Sequence, residues 1–119
     1  MKRKMTVISA KIKEKGLFLE TAEDLTGLMP GEQMLVDSDH FAFIYIMEDQ
    51  EDYTYIELSE QIWPQLKAPM EKKLSVWICN VNQEIMLQGF WDELEYLIEN
   101  IKGNSNYGQE MVNKVEGFF

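Results

Sequence analysis

Residues 41–47, FAFIYIM, restrict this chain more than any other stretch. They are continuously apolar, rich in β-branched and aromatic types, and bounded by DSDH at 37–40 and EDQED at 48–52. A short apolar run between acidic turn-formers reads as a strand. Because it lacks polar alternation, it should be a central strand buried on both faces.

Its neighbours read as further short strands. Residues 5–14 alternate, with Ile8, Ala10 and Ile12 facing one way and Ser9, Lys11 and Lys13 the other, which predicts a half-buried strand. Lys15–Gly16 should turn, and LFLET at 17–21 should return as the hairpin partner. Residues 22–33 read as a loop in which Pro30–Gly31 fits the centre of a type II turn, the glycine supplying the positive φ. QMLVD at 33–37 is a short third strand. YTYIEL at 53–58 puts Tyr53, Tyr55 and Glu57 on one face and Thr54, Ile56 and Leu58 on the other. LSVWICN at 74–80 and EIMLQ at 84–88 alternate again and read as a second hairpin.

Helices come late. Residues 59–73 look helical, with Ser59 able to cap, but Pro64 and Pro69 make that helix short and imperfect. FWDELEYLIENIK at 90–102 carries Phe90, Trp91, Leu94, Leu97, Ile98 and Ile101 on one helical stripe. Gly103 stands where a helix-ending residue with positive φ belongs. A last helix over about 106–117 is marked by Tyr107, Met111, Val115 and Phe118, with Asn106 as its expected cap and Gln109 three places on.

At 119 residues the chain is expected to be a single domain, 1–119. The expected fold is α+β: about seven short, mostly antiparallel strands, a short helix between strands five and six, and two C-terminal helices packed on the sheet. A partly closed barrel capped by a helix is the alternative.

Charge excludes more than it assigns. The formal net charge is −10. Residues 1–15 hold six basic groups and one acid, whereas residues 16–66 hold twelve acids and no Lys or Arg. Nucleic-acid binding needs a dense cationic face, and the only candidate is the first strand, beside acidic neighbours. No nucleic-acid partner is expected. The run MTVISA after Lys2–Arg3–Lys4 is too short for a signal peptide or a membrane span, so no membrane association is expected. With one cysteine, Cys79, no internal disulfide can form, which points to the cytoplasm.

Catalytic chemistry finds little to use. Cys79 as a nucleophile would need a base, and His40 is the one histidine, in an unrelated context. Asp37, Asp39 and His40 could seed a metal site, but one imidazole at a strand end, where Asp and Ser make turns, is a poor start. No metal, cofactor or catalytic residue is expected. Trp63, Trp77 and Trp91 read as core or interface anchors. GNSNYG at 103–108 follows a helix and lacks the Lys-Ser/Thr closure of a phosphate loop. It reads as a helix joint, or as an exposed recognition loop presenting Asn104, Asn106 and Tyr107.

The segments LMPGEQMLVDSDHFAFIYIM and GFWDELEYLIENIKGNSNYGQEMV resemble the YjbL-like family of small proteins from Bacillus-type Firmicutes, a conserved family of unknown function. The resemblance runs the whole length. It implies a bacterial cytoplasmic protein and carries over no activity and no site residue.

Two classes of function stand at this level. One is a non-enzymatic cytoplasmic interaction or regulatory domain, with a protein partner or self-association as a homodimer. It is favoured by the scarcity of catalytic groups and by a high aromatic and Met content, which can exceed what one small core buries. The other is a small-ligand-binding or enzymatic domain with a pocket near Asp37, Asp39, His40 and Tyr107.

Overall fold

A computed structural model describes residues 3–14 and 16–119. Lys2 of the basic start and Lys15 of the expected Lys15–Gly16 turn lie outside the described residues. The order of elements is β1 (Arg3–Thr6), β2 (Ser9–Lys13), β3 (Gly16–Glu20), β4 (Met29–Asp37), β5 (Ala42–Glu48), β6 (Tyr53–Ser59), a 3-10 turn (Trp63–Gln65), α1 (Lys67–Glu71), β7 (Val76–Cys79), β8 (Glu84–Met86), α2 (Phe90–Ile101), a second 3-10 turn (Ser105–Tyr107) and α3 (Gln109–Phe118). The fold is α+β. Its strands form two four-stranded sheets rather than a closed barrel, sheet A in the order β1-β6-β5-β4 and sheet B in the order β2-β3-β7-β8.

The long first strand expected over 5–14 is two strands. Val7 and Ile8 carry the chain from sheet A into sheet B, so β1 edges one sheet and β2 edges the other. Their pairings differ: β1 runs parallel to β6, with Lys4 beside Tyr55, while β2 runs antiparallel to β3, with Lys11 beside Phe18. The β3–β7 pair is also parallel. The other ladders, β4–β5, β5–β6 and β7–β8, are antiparallel as expected.

The apolar run at 41–47 becomes β5, and Ala42 through Met47 are all buried. Phe43, Tyr45 and Met47 belong to the core cluster, together with Met5, Ile56 and Leu58 from the same sheet and Leu17, Leu19, Val76 and Ile78 from sheet B. Ile44 and Ile46 point the other way. The predicted alternation in β6 holds: Thr54, Ile56 and Leu58 are buried.

Pro30–Gly31 is not a turn. Both residues lie inside β4, at a register shift between Pro30 and Met34. The positive φ falls on Glu32, at 55°. Gly31 serves close approach instead, since a Cβ there would stand 2.7 Å from the Ile46 carbonyl oxygen.

Ser59 ends β6 and caps nothing; the segment after it makes a 3-10 turn with Pro64 in its first turn, then the five-residue α1. Trp63 is fully buried there. Its ring lies 5.2 Å from Phe43, 5.7 Å from Phe118 and 5.8 Å from Phe119, and its indole N–H donates to the Leu58 carbonyl at 3.0 Å. This aromatic knot fixes the chain end and β5 to one another. Helix α2 buries Phe90, Trp91, Leu94, Ile98 and Ile101. Leu97, expected at the centre of the stripe, is only half-buried.

Candidate functional site

Strand β4 ends at Asp37, and the chain reverses through 38–41 into β5, with Asp37 opposite Ala42. The Asp37 carboxylate builds the reversal. It accepts the His40 backbone N–H at 3.2 Å, and its other oxygen lies 2.8 Å from His40 Nδ1. Phe41 closes the turn at φ 51°, a left-handed conformation uncommon for a bulky residue. Its ring packs toward the core and carries Lys114 Nζ 4.9 Å from its centroid.

Beside this turn lies the outer face of sheet A. Its rows follow from register: Leu35 opposite Ile44 on β4–β5, Ile44 opposite Glu57 and Ile46 opposite Tyr55 on β5–β6, and Lys4 beside Tyr55 on β1–β6. Lys4, Leu35, Asp37, Asp39, Ile44 and Tyr55 help to line a groove of about 380 Å³ here. Ile44 forms its floor and is only 3% exposed, while Leu35 is 44% and Tyr53 is 47% exposed. The Lys4 ammonium crosses from the far edge, 3.9 Å from Asp37 and 3.7 Å from Glu57. Partial burial acts on Asp37 to raise its pKa. That is outweighed by the His40 side-chain and backbone hydrogen bonds and by the charges of His40 and Lys4, which hold the carboxyl below its ordinary 3.8.

The four residues expected to share a pocket do not all meet. Asp37 and Asp39 line the groove, and His40 is tied to Asp37 at its rim. Tyr107 sits in the 3-10 turn between α2 and α3, half-buried against the core. The joint also differs in detail from its sequence reading. Asn104, not Asn106, supplies the capping side chain: its Oδ1 accepts the Asn106 N–H at 3.1 Å and its Nδ2 donates to the Asn100 carbonyl at 3.2 Å. Helix α3 then starts from Gly108, without a side-chain cap. Gly103 has the expected positive φ, 70°. Of the three recognition-loop candidates, Asn106 is exposed, and Asn104 and Tyr107 are partly buried.

Cys79 is buried in sheet B. Burial, then the nearby Glu20 charge, pushes its thiol above the usual range, which works against nucleophilic use. Among the described residues, no group of three or more His, Cys, Asp or Glu side chains is placed to hold a metal ion, and no helix is long and apolar enough to cross a membrane.

Sequence alone does not gather Lys4, Leu35, Ile44 and Tyr55 into one site. The alternation of Tyr53, Tyr55 and Glu57 carried part of the signal. The placement of Lys4 rests on a parallel pairing that no local pattern announces.

A family of unknown function, UPF0738, matches residues 5–119. The chain belongs to the UPF0738 family. The UPF0738 protein of Bacillus licheniformis is 43% identical over 100% of this chain and 99% of its own length. The UPF0738 protein YjbL of Bacillus subtilis is 41% identical over the same shares. A UPF0738 protein of Staphylococcus haemolyticus is 38% identical over 92% of this chain and 90% of the relative. The resemblance to the YjbL-like family is thereby established over the full length. No solved structure matches.

Proposed function

We propose that this UPF0738 protein is a non-enzymatic interaction domain. On this reading it docks a basic and apolar segment of another protein in the groove on the outer face of sheet A. One observation carries the reading: an exposed sheet face with an apolar floor at Ile44, flanked by Leu35 and Tyr55 and rimmed by Asp37 and Asp39. An aliphatic side chain seated on that floor would leave water, worth about 1.5–3 kcal/mol when burial is complete. A flanking Arg or Lys would take the place of Lys4 at Asp37, since the acids Asp37, Asp39 and Glu57 outnumber Lys4 on this face. Exposed aromatic and aliphatic anchors inside a polar rim are the usual anatomy of a protein-binding patch.

A second copy of the chain is the weaker occupant, because two such faces would set acids against acids. The protein works without a cofactor on this reading. It acts in the cytoplasm, a setting supported by the single cysteine and by the absence of any possible internal disulfide.

Selection from a random peptide display library tests the proposal. Peptides enriched on the wild type and lost on Leu35→Glu should carry Leu, Ile or Phe beside Arg or Lys. Enrichment of acidic peptides, or equal enrichment on Leu35→Glu, would refute it.

A further inference from the structure

The second surface is an edge, not a face. Sheet B runs β2-β3-β7-β8, so among the described residues β2 has a ladder partner on one side only, β3. A strand edge offers a row of backbone N–H and C=O groups to any chain that can lie beside it. Natural edges are commonly protected with lysine, and Lys11 and Lys13 fit that description. Two isoleucines do not. Ile12, the fourth of the five β2 residues, is 58% exposed, and Ile8, the residue before the strand, is 65% exposed. The sequence pattern reads both as core-facing, and the structure leaves both open because the core stops short of this strand. Ala10 is the β2 residue that reaches the core cluster.

The register sorts the side chains of β2 by face. Ile12 stands opposite Leu17 and Ala10 opposite Leu19, both on the core side; Lys11 stands opposite Phe18, on the outer side. Lys13 follows Lys11 by the period of two. The outer side of the edge is therefore cationic and the inner side apolar. Lys11 lies 3.3 Å from Glu20 and is 61% exposed; Lys13 Nζ lies 4.9 Å from the centre of the Phe18 ring. A strand laid along the other side of β2 would compete with Glu20 and Phe18, both on β3, for these two ammonium groups.

We infer that β2 is a strand-addition edge that takes an extended segment of another protein with alternating acidic and apolar residues. The added strand continues sheet B by main-chain hydrogen bonds. Its acidic side chains lie beside Lys11 and Lys13, and the apolar side chain between them lies beside Ile12. Charge selects this occupant over a second copy of β2, which would bring four lysines together at the seam. It also opposes the charge preference of the sheet A groove, so the two surfaces take different partners and either can fail without the other.

The test uses the blocked heptapeptide Glu-Val-Glu-Val-Glu-Val-Glu and the full chain, with amide NMR to locate binding. Saturable shifts confined to β2 and its neighbours are expected, even though protein and peptide are both acidic. Lys11→Glu with Lys13→Glu should weaken binding on the order of tenfold or more, and a peptide N-methylated at alternate residues should not bind. Leu35→Glu, in the sheet A groove, should leave binding unchanged. Circular dichroism of each variant confirms folding, which these exposed positions should not disturb. No saturable binding at millimolar peptide, shifts centred elsewhere, indifference to the lysine reversals, or peptide-free dimerisation that protects the β2 amides would each overturn the inference.

Discussion

Replacing Asn104 by alanine should destabilise the protein by about 1 kcal/mol, and replacing Asn106 by less than about 0.5 kcal/mol. The Asn104 side chain makes two hydrogen bonds, accepting the Asn106 N–H and donating to the Asn100 carbonyl in the last turn of α2. Helix-end carbonyls lack intrahelical partners, so the second bond meets a need the helix cannot meet itself. Both bonds are exposed, so water replaces them in part, and each falls near the low end of about 0.5–1.5 kcal/mol. Among the described residues the Asn106 side chain makes no such bond, and it is exposed. Gly103→Ala sets the scale. With φ at 70° and nothing within 4 Å of a built Cβ, it should cost only the left-handed conformation, about 1–2 kcal/mol. Urea denaturation of the three variants measures the order directly. An Asn106→Ala variant as destabilised as Asn104→Ala would refute the assignment of the cap.

Leu94→Ala should cost about 2–5 kcal/mol, since Leu94 is fully buried; Leu97→Ala, at a half-buried position, should cost clearly less, and equal denaturation midpoints would contradict the packing. Asp37→Asn should destabilise at neutral pH by about 1 kcal/mol or less. Because the folded pKa of Asp37 is depressed below 3.8, its contribution is present above the unfolded value and lost as pH falls through the folded one. The gap between Asp37→Asn and wild type should therefore close in acid, and a gap that widens below pH 3.8 would contradict the sign. Cys79 should react with iodoacetamide in the folded protein roughly tenfold or more slowly than in urea; equal rates would show that the thiol is not buried.

The elements legible in the sequence were those decided by local pattern. FAFIYIM had no polar residue to give to water, and it became the buried β5. The stripe on α2 and the positive φ of Gly103 are likewise set within a few residues. What could not be read depends on partners distant in the chain. The β1–β6 and β3–β7 pairings are parallel and non-local, so the split of residues 5–14 between two sheets left no local mark. Pro30–Gly31 carried turn chemistry, but a strand edge with a bulge accommodates proline as well. Leu97 fell on the helical stripe, yet burial at its rim depends on where the neighbouring elements end. The same limit applied to the candidate site: Asp37, Asp39 and His40 were visible as a cluster, whereas Lys4 joined them only through tertiary pairing, and Tyr107 was held elsewhere by the α2–α3 joint.

The docking surface proposed on sheet A can be tested inside cells. A photo-reactive phenylalanine analogue placed at Leu35 should, on irradiation in the native host, form an adduct whose cross-linked peptide is basic and apolar. Asp37→Lys in the same chain should abolish it, and the analogue placed at Tyr96, exposed on α2, should not form it. An adduct from position 96 but not from position 35, or one from position 35 that survives Asp37→Lys, would contradict the account.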